Sequence, residues 1–174
     1  KTKKILLIIM THFCVLSYGQ YIKLVEFSGN NGHNPEGSPL LVDSILYGTT
    51  RFGGVNNQGV IFKIKTDGTE YEKLHEFNFE DGASPNSPLI LIDSTLFGVT
   101  GLGGEVAGDS GVLFKINTNG TGFKKIHVFN NVNGSSPQWS APILIDSIFY
   151  GLTRGGGNYN VGTLYRVDTN GTGY

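Results

Sequence analysis

The sequence predicts an all-β fold: a β-propeller-like array of about three four-stranded antiparallel blades, open or truncated rather than closed. Three observations predict it. One stretch, LYGTTRFGGVNNQGVIFKIKTDGTEY from Leu46, is written twice more, as LFGVTGLGGEVAGDSGVLFKINTNGTGF from Leu96 and FYGLTRGGGNYNVGTLYRVDTNGTGY from Phe149. Repeats of this length stack one supersecondary unit on its own copies. The 174 residues include 26 Gly among many β-branched and aromatic residues, which favours short strands joined by tight turns. No segment beyond the N-terminus shows helical periodicity.

Residues 1–19 read as a secretory signal peptide. Lys1, Lys3 and Lys4 form a basic start, Ile5 to Leu16 an apolar stretch, and Ser17 and Gly19 flank a cut before Gln20. The apolar run is too short to span a bilayer, and His12 interrupts it. The reading is therefore export, to the extracellular space or the cell surface, with no membrane span in the mature chain. The sole cysteine, Cys14, leaves with the leader, so disulfides, thiolate metal sites and cysteine nucleophiles are excluded. The chain opens on Lys1 and stops one residue into a fresh copy at Tyr174, and is read as a fragment cut at both ends.

Residues 20–174 form the repeat domain, with units 21–70, 71–122 and 123–173. Each opens with an aromatic-bounded strand, Tyr21 to Phe27, Tyr71 to Phe77 or Phe123 to Phe129, followed by a loop carrying Gly32 and Pro35, Gly82 and Pro85, or Gly134 and Pro137. The runs PLLVD, PLILID and PILID are apolar on both faces, which predicts a fully buried second strand, placed nearest the axis. Asp-Ser at 43–44, 93–94 and 146–147 makes a two-residue hairpin into the third strand. Gly48, Gly98 and Gly151 interrupt that strand, so a close approach of other atoms is expected there. After the Gly doublets comes a strand of strict period two, with Val60, Phe62 and Ile64 on one face and Ile61, Lys63 and Lys65 on the other. Asp67-Gly68, Asn119-Gly120 and Asn170-Gly171 suit type I′ turns into the next unit's first strand.

The pattern carried by Leu46, Tyr47, Gly48, Thr49, Thr50, Gly53, Gly54, Gly59, Phe62, Lys63, Asp67, Gly68, Thr69, Leu74 and Phe77 resembles the GloVer tandem repeat of bacterial choice-of-anchor proteins. The resemblance covers Tyr21 to Tyr174. Val99 and Leu152 depart from the first Thr, and Asn replaces Asp in the later turns. It implies an exported bacterial protein with many repeat copies and a C-terminal surface anchor, and it supplies no catalytic residues.

Once the three leader lysines are set aside, the 13 basic residues fall to ten against 14 acidic ones, a poor match for nucleic acid. His75 and His127 recur at one position of successive units, where a structural role is expected. Glu80, Asp81, Glu105 and Asp109 lack the alternating ladder of a calcium loop. No catalytic, cofactor-binding or metal-ligating set emerges. Tyr47, Trp139, Tyr150 and Tyr159 are aromatic enough for a glycan platform; the strand tyrosines are read as core, and the loop residues Trp139 and Tyr159 as candidate ligand contacts. The function expected is a non-catalytic binding or surface-display module for a glycan or cell-surface protein, with self-association through an open blade edge. The alternative is a carbohydrate-active enzyme or its accessory propeller domain, which would place unlike residues at its mouth where a scaffold repeats like ones.

Overall fold

A computed structural model describes residues 19–104 and 110–171, so residues 1–18 of the expected leader, Glu105, Asp109 and Tyr174 lie outside the described residues. The described residues contain strands and no helix, and therefore no helix long and apolar enough to cross a membrane. Three antiparallel sheets follow one another along the chain. Sheet 1 comprises β1 (Leu40–Val42), β2 (Ile45–Thr50), β3 (Val60–Lys65) and β4 (Glu72–Glu76) in that order. Sheet 2 repeats it with β5 (Ile90–Ile92), β6 (Thr95–Thr100), β7 (Val112–Asn117) and β8 (Lys124–Val128). Sheet 3 has β9 (Ile143–Ile145), β10 (Ile148–Thr153) and β11 (Thr163–Asp168), with β11 at its edge.

Sheets 1 and 2 each straddle a seam between sequence units. β4 belongs to the second unit yet pairs with β3 of the first, and β8 likewise completes sheet 2 from the third. Two expectations are corrected by this arrangement. The third sheet has three strands among the described residues, not four. Tyr21 to Phe27, expected as a strand, is extended chain, because a strand requires a partner ladder and no described strand pairs with it. Its side chains are nevertheless placed: Leu24, Val25 and Phe27 pack on Val60, Phe62 and Ile64 of β3.

The core lies between sheets. Tyr47, Ile61 and Leu74 of sheet 1, with Phe77 just beyond β4, meet Leu96, Val112, Phe114 and Ile116 of sheet 2. Phe77 and Phe114 are wholly buried and meet edge to face at 5.4 Å, each burial being worth about 1.5–3 kcal/mol. The other face of sheet 2 repeats the arrangement, with Phe97, Val99 and Leu113 against Phe149, Tyr165 and Val167. The period-two alternation of β3 therefore feeds two different interfaces, as expected from the sequence.

The short first strands are not fully buried. Leu41 is 57% exposed, and Ile143 and Ile145 lie open to solvent. These are edge strands of three residues, so the burial predicted for them falls instead on β3 and β7, which have strands on both sides and sheets or chain on both faces. The strand glycines do answer a close approach. Gly48 stands directly opposite Phe62, and a Cβ there would lie 2.5 Å from the ring; Gly98 and Gly151 seat Phe114 and Tyr165 in the same way.

Turn geometry differs in one respect. Asp43, Asp93 and Asp146 take φ of 53°, 54° and 56° in the predicted two-residue hairpins. At the Asp-Gly turn, however, only Gly68 has positive φ; Gly68 N–H donates to the Lys65 carbonyl and Lys65 N–H to the Thr69 carbonyl. This is a type I turn closed by a left-handed glycine rather than type I′. The Asp67 carboxylate holds it by accepting from Thr69 N–H and Oγ1 at 2.9 and 2.6 Å, and Asn119 does the same for Thr121. Beyond the turn the register slips between Ile61 and Phe62, leaving Leu74 as a bulged residue aimed into the interface with sheet 2.

Candidate functional site

The strand order gathers the tight turns at one end of the array and the long loops, 51–59, 77–89, 129–142 and 154–162, at the other. Those loops are fastened in a repeating way. Thr50, Thr100 and Thr153 donate from Oγ1 to the carbonyls of Phe52, Leu102 and Gly155 at 2.8, 2.9 and 2.9 Å. Isolated bridges pair His33 with Phe52, Ala83 with Leu102 and Ser135 with Gly155. Successive sheets are also stapled. Ser84 N–H donates to the Gln58 carbonyl while its own carbonyl accepts from Gly101; Ser136 links Ser110 to Arg154 likewise. Both serines are left-handed, at φ 55° and 54°, a conformation costing about 1–2 kcal/mol that the bonds across two sheets hold in place.

On this repeating frame the copies diverge at two positions. The residue after the Thr is Arg51, Gly101 or Arg154, and the residue after the loop proline is Glu36, Asn86 or Gln138. In the first copy Arg51 Nη1 meets Glu36 Oε1 at 3.2 Å, and its guanidinium lies over the Phe52 ring. In the second, Asn86 is buried and donates from Nδ2 to Gln138 Oε1 at 3.1 Å, and Gly101 leaves room: a Cβ there would lie 3.2 Å from that same oxygen. Asn86 Oδ1, Ser87 Oγ and Arg51 Nε are buried without a protein hydrogen-bond partner, so polar capacity is left over between the first two copies. In the third, four residues separate Pro137 from Pro142 where three separate Pro35 from Pro39. The longer loop lifts Trp139 into solvent, 59% exposed at φ 67°, with the Arg154 guanidinium 5.4 Å from its ring centroid.

Both candidate contacts thus stand at the loop end. Tyr159 is 87% exposed on the loop that also carries Arg154, but no ring contact joins it to Trp139. Tyr47 is core, as expected, while Tyr150 is half-buried beside Ile143, Leu152 and Leu164 in an apolar depression of about 300 Å³. The two histidines are structural. His75 Nε2 lies 3.0 Å from Asp81 Oδ2 and its ring stacks on Phe123 at 3.9 Å; His127 meets Phe129 edge to face, and burial lowers its pKa below the usual 6.5. Lys73, with the Val55 amide, holds the Glu76 carboxyl below the ordinary range. No group of three His, Cys, Asp or Glu side chains among the described residues could hold a metal ion. Sequence reasoning missed Arg154, Asn86 and Gln138. The signal that finds them is difference between aligned copies, not a motif.

An all-β array of sheets that repeat in sequence, in register and in loop bonding defines a tandem-repeat protein. A family model, the Gloeobacter/Verrucomicrobia repeat, matches residues 11–174, and the chain belongs to that family, in agreement with the resemblance drawn from its motifs. No curated protein matches the sequence. Among solved structures, a chain of a crystal structure of a nidogen/laminin complex is similar at 18% identity and a TM-score of 0.49, covering 76% of this chain and 43% of that one. The chain thus spans less than half the length of that relative.

Proposed function

We propose that this chain is a secreted or surface-displayed, non-catalytic repeat module that binds through its loop end, and that its ligand is a glycan. One observation carries the reading: the copies agree in the strands and staples and differ where side chains gather at the loop end, at Glu36 with Arg51, Asn86 with Gln138, and Trp139 with Arg154. An exposed indole backed by a guanidinium, next to the buried Asn86 amide with its Oδ1 unused, suits a flat, hydroxyl-rich ligand. Unlike residues gathered at one end would also suit an enzyme's mouth, but the one carboxylate of this set, Glu36, is held by Arg51 and has no second carboxylate of the set opposite it, which favours binding over acid–base hydrolysis.

Trp139 is the only tryptophan, so its fluorescence reports on the site directly. Titration with a panel of oligosaccharides should change that emission, and Tyr159→Ala and Arg154→Ala should weaken the response. Hydrolysis of a panel member, abolished by Glu36→Gln, would establish an enzyme instead.

A further inference from the structure

Sheets 1 and 2 match in register and differ in charge at their outer strands. In sheet 1, Lys63 stands between Tyr47 of β2 and Glu72 of β4, and its ammonium group meets the Glu72 carboxylate at 2.9 Å. Lys65 pairs with Glu70 beside them, so a depression of about 110 Å³ at this rim is lined by two cations and two anions. The second copy has Lys115 and Lys124 in place of Lys63 and Glu72, and Asn117 and Gly122 in place of Lys65 and Glu70. Lys115 and Lys124 are direct cross-strand partners in β7 and β8, and neither makes an ion pair or hydrogen bond among the described residues. Like charges directly opposite one another repel and cost stability.

Beside Lys115 the sheets part. A cavity of about 270 Å³ opens at the turn end, walled by Lys115, Asp93, Thr95 and Phe97 of sheet 2 and by Asp146 and Ser147 of sheet 3. Thr95 leaves room where the equivalent Ile45 packs into the core between sheets 1 and 2. The exposure of the second lysine belongs to its place in the rim. Sheets 1 and 2 both have all four strands, and with sheet 2 alongside it the Glu72 side chain is still 52% exposed. The position that Lys124 occupies is therefore open even in a complete pair of sheets.

We propose that this groove between sheets 2 and 3 binds an acidic saccharide, one carrying a carboxylate or sulfate group that bridges the Lys115 and Lys124 ammonium groups. Cross-strand partners lie close enough for one anion to reach both. A sugar ring suits a cavity of this size against the Phe97 ring, with Asp93, Asp146 and Ser147 placed to bond its hydroxyls. Two cations flanked by two carboxylates match one anionic group, not a run of phosphates as in nucleic acid. The site lies at the turn end, and it stands whether or not the loop end binds a ligand.

The test is calorimetric titration of the chain with an oligogalacturonate, a sulfated galacto-oligosaccharide, the neutral galacto-oligosaccharide of the same length, inorganic sulfate and an oligonucleotide. At least one acidic saccharide should bind in preference to all the other probes, and added salt should weaken it. Lys124→Glu rebuilds the pairing of Lys63 with Glu72; it should lower the affinity about tenfold or more while leaving the melting temperature unchanged or raised. Trp139→Ala should leave the affinity intact. Acidic saccharides that bind no better than the neutral one, than sulfate or than the oligonucleotide overturn the proposal. So does a Lys124→Glu protein that binds as well as the unaltered chain, or an affinity that falls with Trp139→Ala instead, which would belong to the loop end.

Discussion

Leu113 and Leu164 hold the same place in successive copies, one opposite Val99 and the other opposite Leu152. One is entirely buried and the other lies open. The strands around them have the same length, sequence pattern and pairing with the strand before them, but β7 is flanked by β8 and covered by sheet 3 whereas β11 is an edge with neither among the described residues, so the difference comes from the neighbours rather than from the strand itself. A propensity for strand and an apolar alternation specify a surface; the neighbouring sheet converts it into core.

The widest separation expected between the two sites is for a charge. Leu113→Lys places an ammonium group in the apolar core between sheets 2 and 3, and should cost about 4 kcal/mol or more, while Leu164→Lys should stay within about 0.5 kcal/mol. Denaturant unfolding at a concentration where the chain is monomeric measures both, and equal losses would break the comparison. Phe114→Ala comes next, with about 3–5 kcal/mol lost from the ring that Phe77 and Phe123 contact at 5.4 and 5.7 Å. Gly98→Ala should cost about 1–3 kcal/mol by overpacking, because its methyl would fall 2.6 Å from the Phe114 ring and 2.8 Å from Leu89. If Gly98→Ala cost little further in a Phe114→Ala background, the clash would be located at that ring.

The smallest effect concerns His127, where the first copy has Val25. Burial depresses its folded pKa below 6.5, so its neutral form contributes stability that is complete above about pH 6.5 and is lost as pH falls through the folded value. His127→Val should remove that part of the acid slope in a pH series of melting temperatures. An unchanged slope would show that the ring charges as freely in the folded chain as in the unfolded one.

The strands other than Tyr21 to Phe27, the Asp-Ser hairpins and the glycine seats were legible because each follows from local chemistry: period two, positive φ, or a ring opposite a missing side chain. The exposure of Leu41 was not, since an apolar run does not announce whether a neighbouring sheet covers it, as one covers the equivalent Leu91. Nor was the type I turn at Asp67-Gly68 distinguishable from type I′, because both accept glycine at positive φ and differ at Asp67, whose carboxylate turns to Thr69. Of the loop site, exposed Trp139 and Tyr159 were readable from composition. Asn86, Gln138 and Arg154 acquire meaning only when the fold sets unlike residues of the copies side by side.

Because β4 and β8 come from the unit after the one they complete, a sequence unit counted from its aromatic-bounded segment and the sheet that folds are out of phase by one strand. A duplication of one unit's length, starting anywhere, inserts one whole sheet and leaves every seam as it was. The loss of one unit removes one sheet and rejoins its neighbours through the same pairing. Array length can thus drift over generations in steps of whole sheets, with each intermediate still stitched from end to end.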